Sequence, residues 1–171
     1  MKDFIFIAGA PGSGKTTIAE LLQKKLNSLL IDFGRLREFH LDRTWSNQSE
    51  QEEQMAFENL IFILKNYHKN GFKNVLVTDL NESKLMKIAE ELGEYQYSIL
   101  TLTLADDEEL KKRVQGVRDS GFKDVGRAIE WNKSILDRGL FPNEQRIDNA
   151  HNEPEKTVEE IVGRLQLEAR V

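Results

Sequence analysis

The sequence predicts an α/β fold built on a parallel sheet, and three observations carry this. Strand-like and helix-like segments alternate along the chain. The apolar run Phe4-Ile5-Phe6-Ile7-Ala8 reads as a buried strand. It leads straight into Gly9-Ala10-Pro11-Gly12-Ser13-Gly14-Lys15-Thr16, a G-x-x-x-x-G-K-T pattern, and then into Thr17 and a helical register from Ile18 to Leu22. At 171 residues the chain fits one domain with a full core and leaves little room for a second.

The elements follow in order. The first helix starts in the loop at Gly14 and runs to about Leu26. Ser28–Asp32 reads as a short buried strand ending in a carboxylate, and Gly34–Trp45 as a polar and aromatic stretch of weak periodicity. A long helix covers about Ser49–Asn70: Ser49 with Glu52 makes a capping box, and Ala56, Phe57, Leu60, Ile61, Leu64 and Tyr67 keep the 3.6-residue period. Met55, Phe62 and Ile63 fall off that stripe, which predicts either burial on a second side or a wall for a substrate pocket. Gly71 ends this helix. Asn74–Thr78 is a strand closed by Asp79, Glu82–Leu92 a helix stopped by Gly93, and Tyr97–Leu104 a strand. Asp106 opens a helix to about Val117, with Asp107, Glu108 and Glu109 in the first turn, as the helix dipole favours. Ser120-Gly121-Phe122 breaks it. A helix over Val125–Asp137, a loop at Gly139–Asn143, a strand at Gln145–Asp148 and a helix over Pro154–Leu167 complete the chain.

Composition narrows the function. Cysteine is absent, which removes thiol nucleophiles, disulfides and Cys-ligated metals and fits a reducing compartment. The first apolar run is shorter than a signal-peptide core, and no segment approaches the roughly 20 apolar residues of a membrane span, so a cytoplasmic location is expected. The net charge of −5 weighs against a large nucleic-acid surface. Between Lys111 and Arg138, eight basic residues face four acidic ones, so this segment is +4 and the remainder −9. Such segregation predicts a local anion to meet, or else a pair of helices with mixed solvated charge.

The chemistry centres on the G-x-x-x-x-G-K-T stretch. Its glycines let successive backbone N–H groups converge on phosphate oxygens. Lys15 adds a point charge, the Thr16 hydroxyl suits Mg²⁺, and the following helix presents its positive end to the same anion. Asp32 and Asp79 both end strands, and in a parallel sheet that puts them on the same rim as this loop. One would hold Mg²⁺ through its waters and the other accept a proton from a hydroxyl; capping of the next helix is the alternative for each. Arg113 and Arg118 are five residues apart, about 140° around a helix, so they cannot share a face. Arg118 falls at the Arg-Asp-Ser-Gly break, where a closing lid would carry it. Arg127 and Arg138, eleven apart, would share a face with Trp131 and Ser134. These arginines either stabilise a transferring phosphoryl group or form surface ion pairs. His68 reads as the solvated end of a helix and His151 as part of a loop that could border a base; neither these nor His40 shows metal-ligand spacing.

On these residues the chain resembles the small P-loop kinases related to nucleoside monophosphate kinases, shikimate kinase, gluconate kinase and chloramphenicol phosphotransferase. Gly9–Thr16 matches the Walker A loop. Leu30-Ile31-Asp32-Phe33-Gly34-Arg35-Leu36-Arg37 looks like the second-strand segment, Leu110–Arg118 like the helix leading into the lid, and Arg146-Ile147-Asp148-Asn149 like the last strand and the loop bordering adenine. The resemblance implies a three-layer P-loop NTPase fold, with a five-stranded parallel sheet ordered 2-3-1-4-5 and helices on both faces. It also implies a small helical lid near 116–126 and an acceptor region near 33–70. ATP and Mg²⁺ would be the donor pair. Gly9, Ala10, Pro11, Gly12, Ser13, Gly14, Lys15, Thr16, Thr17, Arg113 and Arg118 would hold the nucleotide. Asp32, Arg35, Arg37, Asp79 and Arg127 would face a small-molecule or nucleotide acceptor, Thr16 and Asp79 would serve the metal, and Lys15, Asp32 and Arg118 would act in catalysis. Several of these families carry a second carboxylate two residues after the first; here that position is Gly34, a departure that bears on sugar-acid and shikimate recognition.

The expected activity is ATP-dependent transfer of a γ-phosphoryl group to a small hydroxylated or phosphorylated acceptor, by a monomer or homodimer. An ATP-dependent regulator or ATPase without a small acceptor is the second reading. A GTPase would carry N-K-x-D, but Asn132-Lys133 is followed by Ser134-Ile135. A kinase of nucleic-acid ends is disfavoured by the acidic balance.

Overall fold

The computed structural model describes residues 1–39, 48–116 and 122–168. The chain alternates as its patterning predicts. Strand β1 is Phe4–Gly9, followed by helix α1 (Lys15–Leu26), β2 (Leu30–Asp32), α2 (Phe33–Arg37) and α3 (Glu50–Lys69). Then come β3 (Val75–Thr78), α4 (Glu82–Leu92), β4 (Tyr97–Thr103), α5 (Asp107–Gln115), α6 (Val125–Asp137), β5 (Glu144–Asp148) and α7 (Pro154–Glu168). The five strands form one parallel sheet in the order β2-β3-β1-β4-β5. This is the order expected.

Side-chain alternation along β1 sorts the core into two layers. Phe4, Phe6 and Ala8 face α3 and α4, packing with Phe57, Leu60, Leu64, Ile88 and Leu92. Ile5 and Ile7 face the other way, against Ile18 and Leu22 of α1 and Val158 and Ile161 of α7. A parallel sheet covered on both sides needs this apolar central strand. A third, smaller cluster of Leu104, Leu110, Val114, Ala128 and Ala150 seats α5 and α6 beside the carboxyl ends of β4 and β5.

The long helix corrects one expectation. Its stripe from Ala56 to Leu64 is buried and its Ser49 cap forms, with Ser49 Oγ accepting from the Glu52 N–H at 3.1 Å. Its second side is not buried, since Phe62 is 74% exposed and Met55 is also exposed. Two other expectations change. His68 is not a solvated helix end: it lies 3.2 Å from Asp3 and packs edge-on against Tyr95. Arg138 does not continue the face of Arg127, because α6 ends at Asp137 and Arg138 is extended. No helix among the described residues is long and apolar enough to cross a membrane.

Candidate functional site

Both layers of the fold direct their strand ends to one rim, and the 9–17 loop lies there between β1 and α1. Gly9 has a φ of 138°, and a side chain at this position would collide with the Leu102 carbonyl oxygen of β4. The loop therefore emerges flush with the sheet only because its first residue is glycine. Gly14, with a φ of 96°, caps α1 without any side-chain hydrogen bond, and the first turn of α1 has no acidic residue. Five other helices, α2 to α6, are capped by Asp32, Ser49, Asn81, Asp106 and Asp124. The contrast is informative. An uncapped first turn leaves backbone donors and the positive end of the helix dipole for an external anion.

Lys15 folds back across this loop, its Nζ donating to Gly9 O at 2.9 Å and Ala10 O at 3.1 Å. Burial pushes its ammonium below the ordinary range, and the Asp79 carboxylate opposes that. Ala10 and Ser13 are fully buried, and Ser13 Oγ has no hydrogen-bond partner. Thr17 lies on the cleft wall and Thr16 is exposed. This donor set fits a polyphosphate: one cation, an open helix end and an unused hydroxyl in a space shaped by glycines.

Asp32 and Asp79 meet on the same rim. Asp32 Oδ1 accepts from Gly34 N at 2.9 Å and so caps α2, the alternative raised by its sequence. Asp79 does not cap α4; Asn81 does. Asp79 instead has a φ of 66°, a left-handed conformation that Asp tolerates better than most residues. A Cβ on Gly34 would lie 2.7 Å from Asp79 Oδ2 and 3.1 Å from Asp32 Oδ1, so only hydrogen at this position lets the two carboxylates flank it. Burial pushes the Asp79 carboxyl up, the Asp32 charge adds to this, and Lys15 and Arg37 oppose it.

The arginines separate. Arg37 is clamped by Glu53 of α3, with Nε 2.7 Å from Oε1. Arg35 and Arg127 are exposed, on α2 and in the first turn of α6. Arg113 bonds Glu109 at 2.7 Å and the Ala150 carbonyl at 2.7 Å, on the wall of the cleft described below. Arg118, with residues 117–121 of the expected lid, lies outside the described residues, as do residues 40–47 of the acceptor region. The positive segment is largely balanced once folded: Glu108 and Glu109 pair with Lys111, Lys112 and Arg113, and Asp107 with Lys133. The acidic first turn of α5, just upstream of the segment as counted, supplies those partners.

Beside the loop a cleft of about 500 Å³ opens between Gly14, Thr17, Arg113, Asn149, His151 and Pro154. That volume suits a nucleoside-sized ligand. His151 borders it, 3.3 Å from Asp106. Two participants, Glu53 and Glu144, carry no signal in the sequence, and a third, Asn149, is placed there only by the resemblance of its segment to a loop bordering adenine, without its contacts. Asn149 joins the loop to α7, Glu53 holds Arg37, and Glu144 anchors Arg138. Each acts through a partner remote in sequence, so no local pattern announces the contact.

An uncapped helix after a glycine loop, at the carboxyl rim of a 2-3-1-4-5 sheet, defines a phosphate-loop nucleotide-binding fold. The chain belongs to the AAA domain family, whose model matches residues 5–130. It is 27% identical over 168 residues to the "Putative adenylate kinase" of Pyrococcus abyssi, covering 95% of this chain and 83% of that one. Among solved structures it is similar to a sugar kinase from Janibacter sp. HTCC2649, with a TM-score of 0.70, 16% identity and 97% and 95% of the two chains covered. It is also similar to shikimate kinase from Aquifex aeolicus, with a TM-score of 0.63, 18% identity and 97% and 98% covered. At these identities the solved structures show the shared fold.

Proposed function

We propose that the protein is an ATP-dependent phosphotransferase that moves the γ-phosphoryl group to a small hydroxylated or phosphorylated acceptor. The observation that carries this is the open amino end of α1, with the Lys15 ammonium folded back onto the start of the loop and two carboxylates on the same rim. The relatives agree in kind, since the names of the Pyrococcus, Janibacter and Aquifex proteins all denote kinases.

In this reading the loop N–H groups and Lys15 grip the β- and γ-phosphates and stabilise charge on the transferring group. The 500 Å³ cleft holds the nucleoside, with Arg113 on its wall. No group of three or more His, Asp or Glu side chains able to hold a metal occurs among the described residues. Thr16 and Asp79 would be the residues that hold Mg²⁺ with the nucleotide, and the ion would supply neutralisation of the phosphate charge. Asp32 and Asp79 share this rim, and one of them would accept the proton of an acceptor hydroxyl while the other serves the metal. Arg35, Arg37 and Arg127 would orient the acceptor from α2 and α6, Arg37 through its clamp on Glu53, and Arg118 would close from the lid.

The test is ADP release measured over a panel of nucleosides, nucleoside monophosphates, sugars, sugar acids and aminoglycoside-like alcohols, with wild-type protein and Gly34→Ala. Wild type is expected to release ADP in an acceptor-dependent way. Gly34→Ala is expected to fold normally, since alanine favours a helix and only the ends of two side chains must shift. Its turnover is expected to fall at least about tenfold, because a displacement near 1 Å at reacting groups is costly. ADP release that no acceptor stimulates would support an ATPase or regulator instead.

A further inference from the structure

We propose that Asn149, held in place by Thr157, is a positioning residue that aims the phosphate loop from the wall of the nucleoside cleft. This rests on the reading that the loop grips a nucleoside triphosphate. Asn149 follows the last residue of β5 and is 4% exposed. Its backbone N–H donates to Thr103 O at 2.8 Å, which fixes it to the end of β4. Its side-chain Nδ2 donates to the Ser13 carbonyl at 2.8 Å, across 136 residues of sequence. Its Oδ1 accepts from the fully buried Thr157 hydroxyl of α7 at 2.7 Å. The carboxamide has one orientation in this network, because Ser13 O can only accept and so must face the NH₂.

The consequence follows from peptide geometry. In a planar trans peptide the C=O and the next N–H point in opposite directions. Pinning Ser13 O to Asn149 therefore turns the Gly14 N–H away from Asn149. That N–H has no backbone acceptor among the described residues, and it stands at the uncapped end of α1. It is thus preset to donate to a phosphate oxygen, with no reorientation on binding. Packing enforces the arrangement: a Cβ on Gly14 would lie 2.8 Å from Asn149 Nδ2. The neighbouring Ala150 carbonyl accepts from Arg113 at 2.7 Å, so the same short segment that borders the nucleoside also sets the phosphate donors. Thr157 fixes the amide; replacing its hydroxyl leaves Oδ1 buried and unpaired, and the amide can then swing.

Calorimetry with MgATP and with magnesium tripolyphosphate, which lacks a base and ribose, tests this on wild type, Asn149→Leu, Thr157→Val and Thr157→Ser. Asn149→Leu is expected to weaken both ligands about tenfold or more and by similar factors. Thr157→Val is expected to weaken both severalfold, and Thr157→Ser, which keeps the hydroxyl, to restore wild-type affinity. If Asn149→Leu does not fold, the Thr157 pair decides alone. Unchanged affinity in folded Asn149→Leu or in Thr157→Val, whatever the melting temperature does, overturns the inference. Loss of MgATP affinity with tripolyphosphate affinity kept also overturns it, since Asn149 would then read the nucleoside. Wild-type protein that binds neither ligand overturns the nucleotide reading and this inference with it. Wild type that binds both, with variants that match it, removes the inference alone.

Discussion

Lys15→Ala is expected to lower acceptor-dependent ADP release by about 10² to 10³, on the order of 3 kcal/mol of transition-state stabilisation. Lys15 is the cation that folds directly over the loop, and its Nζ is already directed by Gly9 O and Ala10 O. The loop donors that remain are neutral N–H groups, which cannot replace a full charge in a buried setting. Folding is expected to survive, because alanine is the best helix former and the change removes a charge whose burial disfavours its protonated form. The loss should appear in steady-state turnover at saturating MgATP, with a melting temperature at or above wild type. Turnover within twofold of wild type would remove Lys15 from the mechanism.

Glu144→Gln is expected to destabilise the fold by about 3 kcal/mol, roughly 10 °C in melting temperature for a chain of this size. The Glu144 side chain is wholly buried. It accepts two hydrogen bonds from Arg138, each at 2.7 Å, one from the Thr101 hydroxyl and one from the Phe141 N–H at 2.7 Å. Arg138 also reaches Glu82 at 2.8 Å and lies over the Phe141 ring. The network thus ties β4, β5, α4 and the return from α6 together. A neutral amide would leave the Arg138 charge short of a partner and turn an NH₂ toward other donors. Burial by itself raises the Glu144 carboxyl, but the Arg138, Thr101 and Phe141 hydrogen bonds outweigh it and hold the group below its ordinary 4.5. The sign follows: the unfolded chain binds this proton at higher pH, so the contribution is present above about 4.5 and is lost as pH falls through the native value. Denaturant unfolding between pH 7 and pH 3 should show an acid loss in wild type that Glu144→Gln lacks in part. Parallel pH profiles would contradict this.

The parts legible in the sequence are those set by neighbours. Apolar periodicity places Phe4–Gly9 and the Ala56–Leu64 stripe, and cap residues such as Ser49 and Asp106 place helix starts. The glycine loop is legible because its strand and helix flank it in sequence. Phe62 shows where periodicity stops informing, since an off-stripe aromatic residue reads the same whether it is covered or left in water. Asp32 and Asp79 look alike as strand-end carboxylates, yet one caps a helix and the other sits at positive φ, a difference made by Asn81 and Gly34. The count of basic residues from Lys111 misses Glu108 and Glu109 one turn upstream. Asn149 is placed by its segment's resemblance, but its contacts, like those of Glu144, are beyond local reading, because their partners return from distant strands and helices.

The most direct measurement is titration of MgATP into wild-type protein and Lys15→Ala by calorimetry. The account predicts saturable one-to-one binding by wild type, with a much weaker signal from the variant. No heat and no saturation with wild-type protein, with adenine or guanine triphosphate and magnesium present, would contradict it.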